Sequence, residues 1–294
     1  MKLLCATDLQ TKSDAAVDRA YLLRDSMNAR LSLVHVVPPV GAEDGNLEQR
    51  MLSASSRLAL RAKHAGGDAE LVVRCGRPPS VVREEAARAN LIVIGPHPAE
   101  GLSDGLRGTF TEKLLSEARC PVLIVRRPAT GSYQRLLLAL DGSRATGQVV
   151  RAAERLGATE NAAFAAVHAH EPPYEAMMNT VGVGNLSVAS YASASMSQAA
   201  SLIHSQMRLH SVDWRRYRMM LMDARPGAAI REALRETNPD LLVMGTRGHG
   251  RFRRALLGST AHEMLSSVDC DVLLVPDAAL RAAPPPDDPG PWAA

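Results

Sequence analysis

The sequence predicts an α/β chain made of two successive modules, each a doubly wound parallel sheet with helices on both faces. Three observations lead there. Short apolar runs rich in Val, Ile and Leu alternate with longer runs of helical period, and that alternation gives right-handed crossovers and a parallel sheet. The chain also repeats itself. Leu91-Ile-Val-Ile-Gly95 returns as Leu241-Leu-Val-Met-Gly245, Gly108-Thr109 as Gly258-Ser259, and Cys120–Val125 as Cys270–Val275, all at an offset of 150 residues. Near the front of each half the offset is 133, pairing Asp8 with Asp141, Val17 with Val150 and His35 with His168. Finally, 294 residues suit two domains of ~150 residues each.

In the first half, strands are expected at Lys2–Thr7, Leu31–Val37, Glu70–Arg74, Leu91–Gly95 and Val122–Arg126. They are nearly continuous apolar runs, which is how strands covered on both faces read. Helices are expected between them at Ser13–Asn28, Asn46–His64, Ser80–Ala89 and Thr109–Arg119. The second half repeats the order with strands at Arg135–Leu140, Ala163–His168, Tyr217–Met222, Leu241–Gly245 and Val272–Val275. The change of offset requires an insertion of 17 residues between His168 and Gly245. Met177–Ser190, small and polar with Gly182 and Gly184, is its expected place, and it has little to bury. The turn-forming stretch Arg127–Ser132 divides the chain into domains 1–130 and 131–280, and the Pro-rich residues 281–294 form a tail.

Composition excludes several functions. The 34 basic and 31 acidic residues leave a net charge of only +3, which does not suit a nucleic-acid binder. Aromatic residues are 3%, so the cores are aliphatic and stacking platforms for single strands are missing. No apolar run approaches the ~20 residues of a membrane span, and the first residues turn acidic too soon for a secretory signal. The four cysteines are scattered beside apolar runs and read as reduced, buried thiols, in keeping with a cytoplasmic protein.

The chemistry-bearing residues gather at predicted strand ends. Gly245-Thr246-Arg247-Gly248-His249-Gly250 follows the fourth strand of the second half, and Gly258-Ser259-Thr260 opens the next helix. Glycines at the carboxyl edge of a parallel sheet let the backbone approach an anion, and a helix N-terminus offers unpaired N–H groups to phosphate. The bland alternative is a strand-to-helix turn with an ordinary Ser cap. No Gly-Lys-Ser/Thr closes the loop, and the glycines do not follow a first strand, so neither a Walker A loop nor the dinucleotide fingerprint is present. Asp8 and Asp141 end first strands and could accept from ribose hydroxyls or cap the next helix. His35 and His168 close second strands. His168 and His170 stand two apart and could share a metal, but no third ligand is in view.

On these spacings the chain resembles the universal stress protein family, over residues 1 to about 276. The family motif, Gly-x2-Gly-x9-Gly-Ser/Thr after the fourth strand, is complete at Gly245, Gly248, Gly258 and Ser259. The first half has Gly95, Pro98, Gly108 and Thr109 at the same spacing, with proline where the second glycine belongs. Arg77-Pro78 and Arg225-Pro226 also fit, so the chain is identified as a tandem member.

The resemblance implies two Rossmann-like, five-stranded parallel modules paired with pseudo-twofold symmetry through their last strands. It implies an adenine nucleotide (ATP, ADP or AMP) in the second domain, with Asp141 at the ribose and the backbone of Ala169 at the adenine. The glycine motif, with Gly245, Gly248, Gly258, Ser259 and Thr260, would hold the phosphates, and Met244 and His249 are further nucleotide-binding candidates beside it. Pro98 has no N–H and Glu100 adds a negative charge, so the first domain is not expected to bind nucleotide. Mg2+ would accompany ATP; no metal site of the protein's own is predicted. The implied role is regulatory, in stress response, with protein partners unnamed, a homodimer left open, and neither nucleic acid nor membrane involved. A nucleotide-free interaction module and a slow ATPase are the alternatives. The second lacks an obvious general base, because Asp141 is expected at the ribose.

Overall fold

The computed structural model describes residues 1–39, 46–96, 110–143, 145–157, 161–170, 185–209, 212–246 and 257–276. The first repeat supplies strands β1 (Lys2–Ala6), β2 (Arg30–Val37), β3 (Glu70–Cys75), β4 (Leu91–Ile94) and β5 (Val122–Ile124), and helices α1 (Asp14–Ser26), α2 (Leu47–Ala65), α3 (Pro78–Ala86) and α4 (Phe110–Glu117). The second supplies β6 (Arg135–Ala139), β7 (Ala163–Ala169), β8 (Tyr217–Met222), β9 (Leu241–Gly245) and β10 (Asp271–Val275), with α5 (Thr146–Leu156), α6 (Asn185–Leu209), α7 (Pro226–Thr237) and α8 (Ser259–Ser267).

The chain divides into two compact units. In the first, the strand order is β3-β2-β1-β4-β5-β10. β1–β5 are parallel, and β10 lies antiparallel to β5, with Leu273 opposite Leu123. The last strands of the two repeats therefore pair with each other, and β10 packs within the unit that holds β1–β5. The second unit has the order β9-β6-β7-β8, all parallel. Both orders place the first strand of the repeat between the second and fourth, the arrangement in which ligands meet the carboxyl ends of strands.

Sequence patterning sets these elements. β1, β4, β5 and β10 are buried almost along their whole length, as continuous apolar runs require. β3 is the exception: it is an edge strand whose residues are exposed or half-buried. A Val-rich run there reflects β propensity and one helix-covered face, not burial on both. Pro78 and Pro226 sit in the first turns of α3 and α7, where a missing N–H is harmless. Asn46 caps α2 by accepting from the Glu48 N–H at 3.0 Å. The start of α6 takes in residues 185–190 of the stretch read as an insertion; residues 177–184 and the tail 281–294 lie outside those described.

β10 is held by a buried charge. Asp271 is 1% exposed, and its Oδ1 accepts from the Arg126 and Arg127 N–H groups at 2.7 and 3.1 Å. The Arg19 Nε lies 3.7 Å from Oδ2, and the Arg19 guanidinium also donates to the Gly131 carbonyl. One carboxylate thus ties α1, the segment after β5 and the start of β10 together. Removing one partner of such a pair leaves the other charge buried, typically about 3–5 kcal/mol destabilising. Asp271→Ala is expected to lower unfolding stability by about 3 kcal/mol, read as a fall in the urea midpoint; a change below about 1 kcal/mol contradicts this account of the pair.

Among the cysteines, Cys5, Cys120 and Cys270 are buried, whereas Cys75 on edge strand β3 is exposed, against the expectation that all four would be buried. Burial pushes the Cys5 and Cys120 thiols up to about 12 from the ordinary 9.0. Only Cys75 is therefore expected to react rapidly with a disulfide reagent in the native protein, and Cys75→Ser to abolish the fast phase. Because the two buried thiols hold their protons longer in the folded state, their contribution is intact below pH 9.0 and disappears as pH rises through about 12. Unfolding midpoints measured across that range should fall with pH.

Candidate functional site

The site begins with the turn that follows β6. That strand ends at Ala139; Leu140 is buried, and Asp141 follows half-buried. The Asp141 Oδ1 accepts from the Ser143 N–H at 2.9 Å, closing an Asx turn. Gly142 inside it has φ +75°, a conformation natural to glycine. The Leu140 carbonyl lies 2.7 Å from His168 Nδ1 on neighbouring β7. A carbonyl can only accept, so His168 carries its proton on Nδ1 and donates it to the backbone immediately before Asp141.

The first repeat builds the same turn. Asp8 Oδ1 accepts from the Gln10 N–H at 2.9 Å, and His35 Nδ1 donates to the Thr7 carbonyl at 2.8 Å. Leu9 stands where Gly142 does and has φ +59°. A leucine there is strained by roughly 1 kcal/mol. Arg57 on α2 donates to the Leu9 carbonyl at 2.7 Å and holds the turn. In the second unit α6 meets this turn with apolar groups instead: a Cβ on Gly142 would lie 3.2 Å from Leu202 Cδ2. Neither the strained leucine nor this wall was read from the sequence. The offset of 133 residues, which pairs Leu9 with Gly142, carried the first signal.

Asp141, Ala169, Met244 and Gly245 come to one sheet edge. β9, β6 and β7 are neighbours, with Ala139 in register with Met244 on one side and Val167 on the other. Ala169 ends β7. The Leu140 N–H bonds to the Val167 carbonyl, and the His170 N–H to the Met222 carbonyl of β8. Backbone groups alternate sides along a strand, so those of Ala169 face the β6 side, where β6 has already ended. Gly258 immediately precedes α8, with Ser259 exposed and Thr260 half-buried in its first turn. The Glu263 carboxylate, one turn along, occupies the space a Cβ on Gly227 would need and pairs with Arg231, fastening α8 to the N-terminus of α7. Gly248, His249 and the basic run 251–254 lie outside the described residues, as do Pro98, Glu100, Gly108 and Thr109.

Gly95 has a packing role the sequence did not suggest. A Cβ on it would sit 3.1 Å from Ser13 Cα and 3.3 Å from Ser13 Oγ. The glycine ending β4 thus lets the start of α1 approach the strand closely. His168 and His170 do share a face, with ring centroids 6.3 Å apart, but His170 Nε2 is 2.6 Å from Ser195 Oγ of α6. Among the described residues no three His, Cys, Asp or Glu side chains form a group that could hold a metal, and no helix is long and apolar enough to cross a membrane.

The fold is of the Rossmann-like α/β class, and comparison with known proteins gives the family. The model of the universal stress protein family matches residues 1–126 and again 132–276. The chain belongs to that family, as a tandem member. A universal stress protein of Thermus aquaticus is 29% identical over 143 residues, 49% of this chain and 98% of its own. Universal stress protein A homolog 1 of Coxiella burnetii is 34% identical over 136 residues, 42% of this chain and 94% of its own. The crystal structure of a universal stress protein from Archaeoglobus fulgidus is similar over 94% of this chain and 96% of its own, with a TM-score of 0.67 and 16% identity, a likeness of fold.

The Asp141 turn depends on a positive φ at Gly142. Gly142→Ala introduces backbone strain and a methyl 3.2 Å from Leu202 Cδ2. It is expected to destabilise the protein by about 1 kcal/mol, whereas the matching Leu9→Ala leaves the backbone strain unchanged. Chemical denaturation of both variants checks the contrast.

Proposed function

We propose that this protein binds an adenine nucleotide, with ATP as the first candidate, at the carboxyl edge of β9, β6 and β7, once per chain, and acts as a regulatory stress-response protein rather than a dedicated enzyme. The single observation that carries the reading is the juxtaposition of Asp141, the β6-facing backbone of Ala169, and Gly245 at adjoining strand ends. Each is suited to one part of the ligand. The carboxylate accepts from ribose hydroxyls. The Ala169 N–H and C=O can pair with an adenine edge, and a side chain as small as alanine leaves that edge open. The glycine motif, with the N-terminus of α8 at Ser259 and Thr260, suits phosphate.

The residues present also suit a nucleotide without a protein-held metal, since backbone N–H groups and a helix dipole neutralise phosphate directly. Any Mg2+ would arrive with ATP and be held mainly by its phosphates. His249 remains a proposed phosphate contact. No general base is assigned, so hydrolysis is not part of the reading. The cytoplasm is the proposed compartment.

Two substitutions test the placement. Gly258→Asp puts a carboxylate where phosphate must approach α8, with like-charge repulsion of ~1 kcal/mol at 4 Å even in water. It is expected to abolish ATP binding in titration calorimetry. Gly108→Asp, in the repeat that carries Pro98, should leave affinity nearly unchanged. Two sites per chain in the parent protein, or loss of binding from Gly108→Asp alone, would assign the nucleotide to the other repeat.

A further inference from the structure

The two Asp turns share several backbone features. The Asx bond is 2.9 Å in each. The residue after the aspartate is left-handed in each, at φ +59° and +75°. The Ser13 and Thr146 N–H groups close onto the Gln10 and Ser143 carbonyls at 2.9 and 3.0 Å. The His Nδ1 contacts are 2.8 and 2.7 Å. Ser13 and Thr146 are themselves a repeat pair at the offset of 133.

They differ in what the hydroxyl does. Ser13 Oγ donates to Asp8 Oδ1 at 2.6 Å, and it lies 3.3 Å from the Cβ position of Gly95. The hydroxyl at this point of the repeat therefore sits between the strand-one aspartate and the strand-four glycine, the two anchors of the candidate site. Thr146 is 1% exposed, and its Oγ1 has no hydrogen-bond partner. As the first residue of α5 it has no preceding helical turn to bond back to, the usual outlet for a threonine inside a helix. Buried hydroxyls without partners are rare, and each calls for an explanation.

We propose that Thr146 Oγ1 is a ribose-reading contact, its hydrogen bond completed by a hydroxyl of the same sugar that Asp141 engages. The inference rests on the reading that the second unit takes an adenine nucleotide. The chemistry is complementary. A ribose hydroxyl can donate to the Asp141 carboxylate and accept from the threonine hydroxyl at once, and the carboxylate, which only accepts, cannot supply the donor. A valine at this position would fill the same volume without the unmatched oxygen, so the threonine is explained by what it does in the complex. In the first repeat the corresponding hydroxyl gives its one proton to Asp8, leaving no donor for a sugar.

The test uses the full chain, with ATP, 2′-deoxy-ATP and 3′-deoxy-ATP as probes in titration calorimetry. The parent protein is expected to bind ATP more tightly than one of the deoxy analogues. Thr146→Val is expected to weaken ATP about tenfold, the scale of one hydrogen bond, towards that analogue's affinity, without weakening the analogue further. Thr146→Ser retains most of the ATP affinity. The unliganded Thr146→Val protein should unfold at the same temperature as the parent or higher. Equal weakening of ATP and both analogues, unchanged ATP affinity, or a clear loss of unliganded stability in Thr146→Val each overturns the assignment. If Thr146→Val does not fold, the hydroxyl already serves the free protein and the inference fails. A parent protein that binds no adenine nucleotide removes the wider reading and this one with it; a parent that binds ATP while Thr146→Val is indifferent removes this one alone.

Discussion

One hydrogen bond, from the strand-two histidine to the backbone beyond strand one, links the turn after strand one to the neighbouring strand in both repeats. His168 to the Leu140 carbonyl and His35 to the Thr7 carbonyl are within 0.1 Å of each other in length, at 2.7 and 2.8 Å. The bond matters because the residue after the strand, whose N–H still bonds to the neighbouring strand, begins a turn, and the chain there must be given a direction. A histidine whose Nδ1 donates sideways supplies that direction. It aims the next residue, the aspartate, into its Asx turn, and the turn in turn starts α1 or α5. Strand, turn and helix are thereby linked by a contact between neighbouring strands.

Much of this was legible in the sequence because it depends on periodicity and spacing. Every strand lies within two residues of its expected bounds, since continuous apolar runs bounded by turn residues leave little freedom. The exposure of β3 was not legible: its Val-rich run resembles a buried strand, and only the strand order makes it an edge. Cys75 was misjudged for the same reason. The pairing of β10 with β5 was expected from the resemblance, but not that β10 would pack within the unit of β1–β5: a repeat assigns a strand to a module by position, whereas Asp271 fastens it to Arg19, Arg126 and Arg127. That acid occupies the position of Pro121 in the first repeat, so pattern matching between the repeats passes over it.

The candidate site was legible as a set of residues but not as a mechanism of placement. Asp141, Ala169 and Gly245 were singled out by spacing, and strand order brings them to one edge. The reason for Gly95, which is the close approach of Ser13, needs the geometry of α1 against β4. Glycine at that point serves packing first and any phosphate second, so its presence in a motif does not by itself separate a binding repeat from a silent one.

The separation lies in how the two turns distribute their imperfections. In the first repeat the backbone is strained at Leu9 while the side chains are satisfied: Ser13 bonds Asp8, and Arg57 covers the Leu9 carbonyl. In the second the backbone is relaxed at Gly142, and the unmatched group is a buried hydroxyl on Thr146. Strain in a backbone dihedral is not relieved by a ligand that leaves the turn in place. An unmatched hydroxyl is relieved by any ligand that brings the missing partner. On the proposed reading, the first arrangement is complete without a guest, whereas the second would be completed by one. That difference would give the repeats unequal affinity even where these turn contacts coincide, and it arises at two positions, Leu9/Gly142 and Ser13/Thr146, that lie outside the glycine motif.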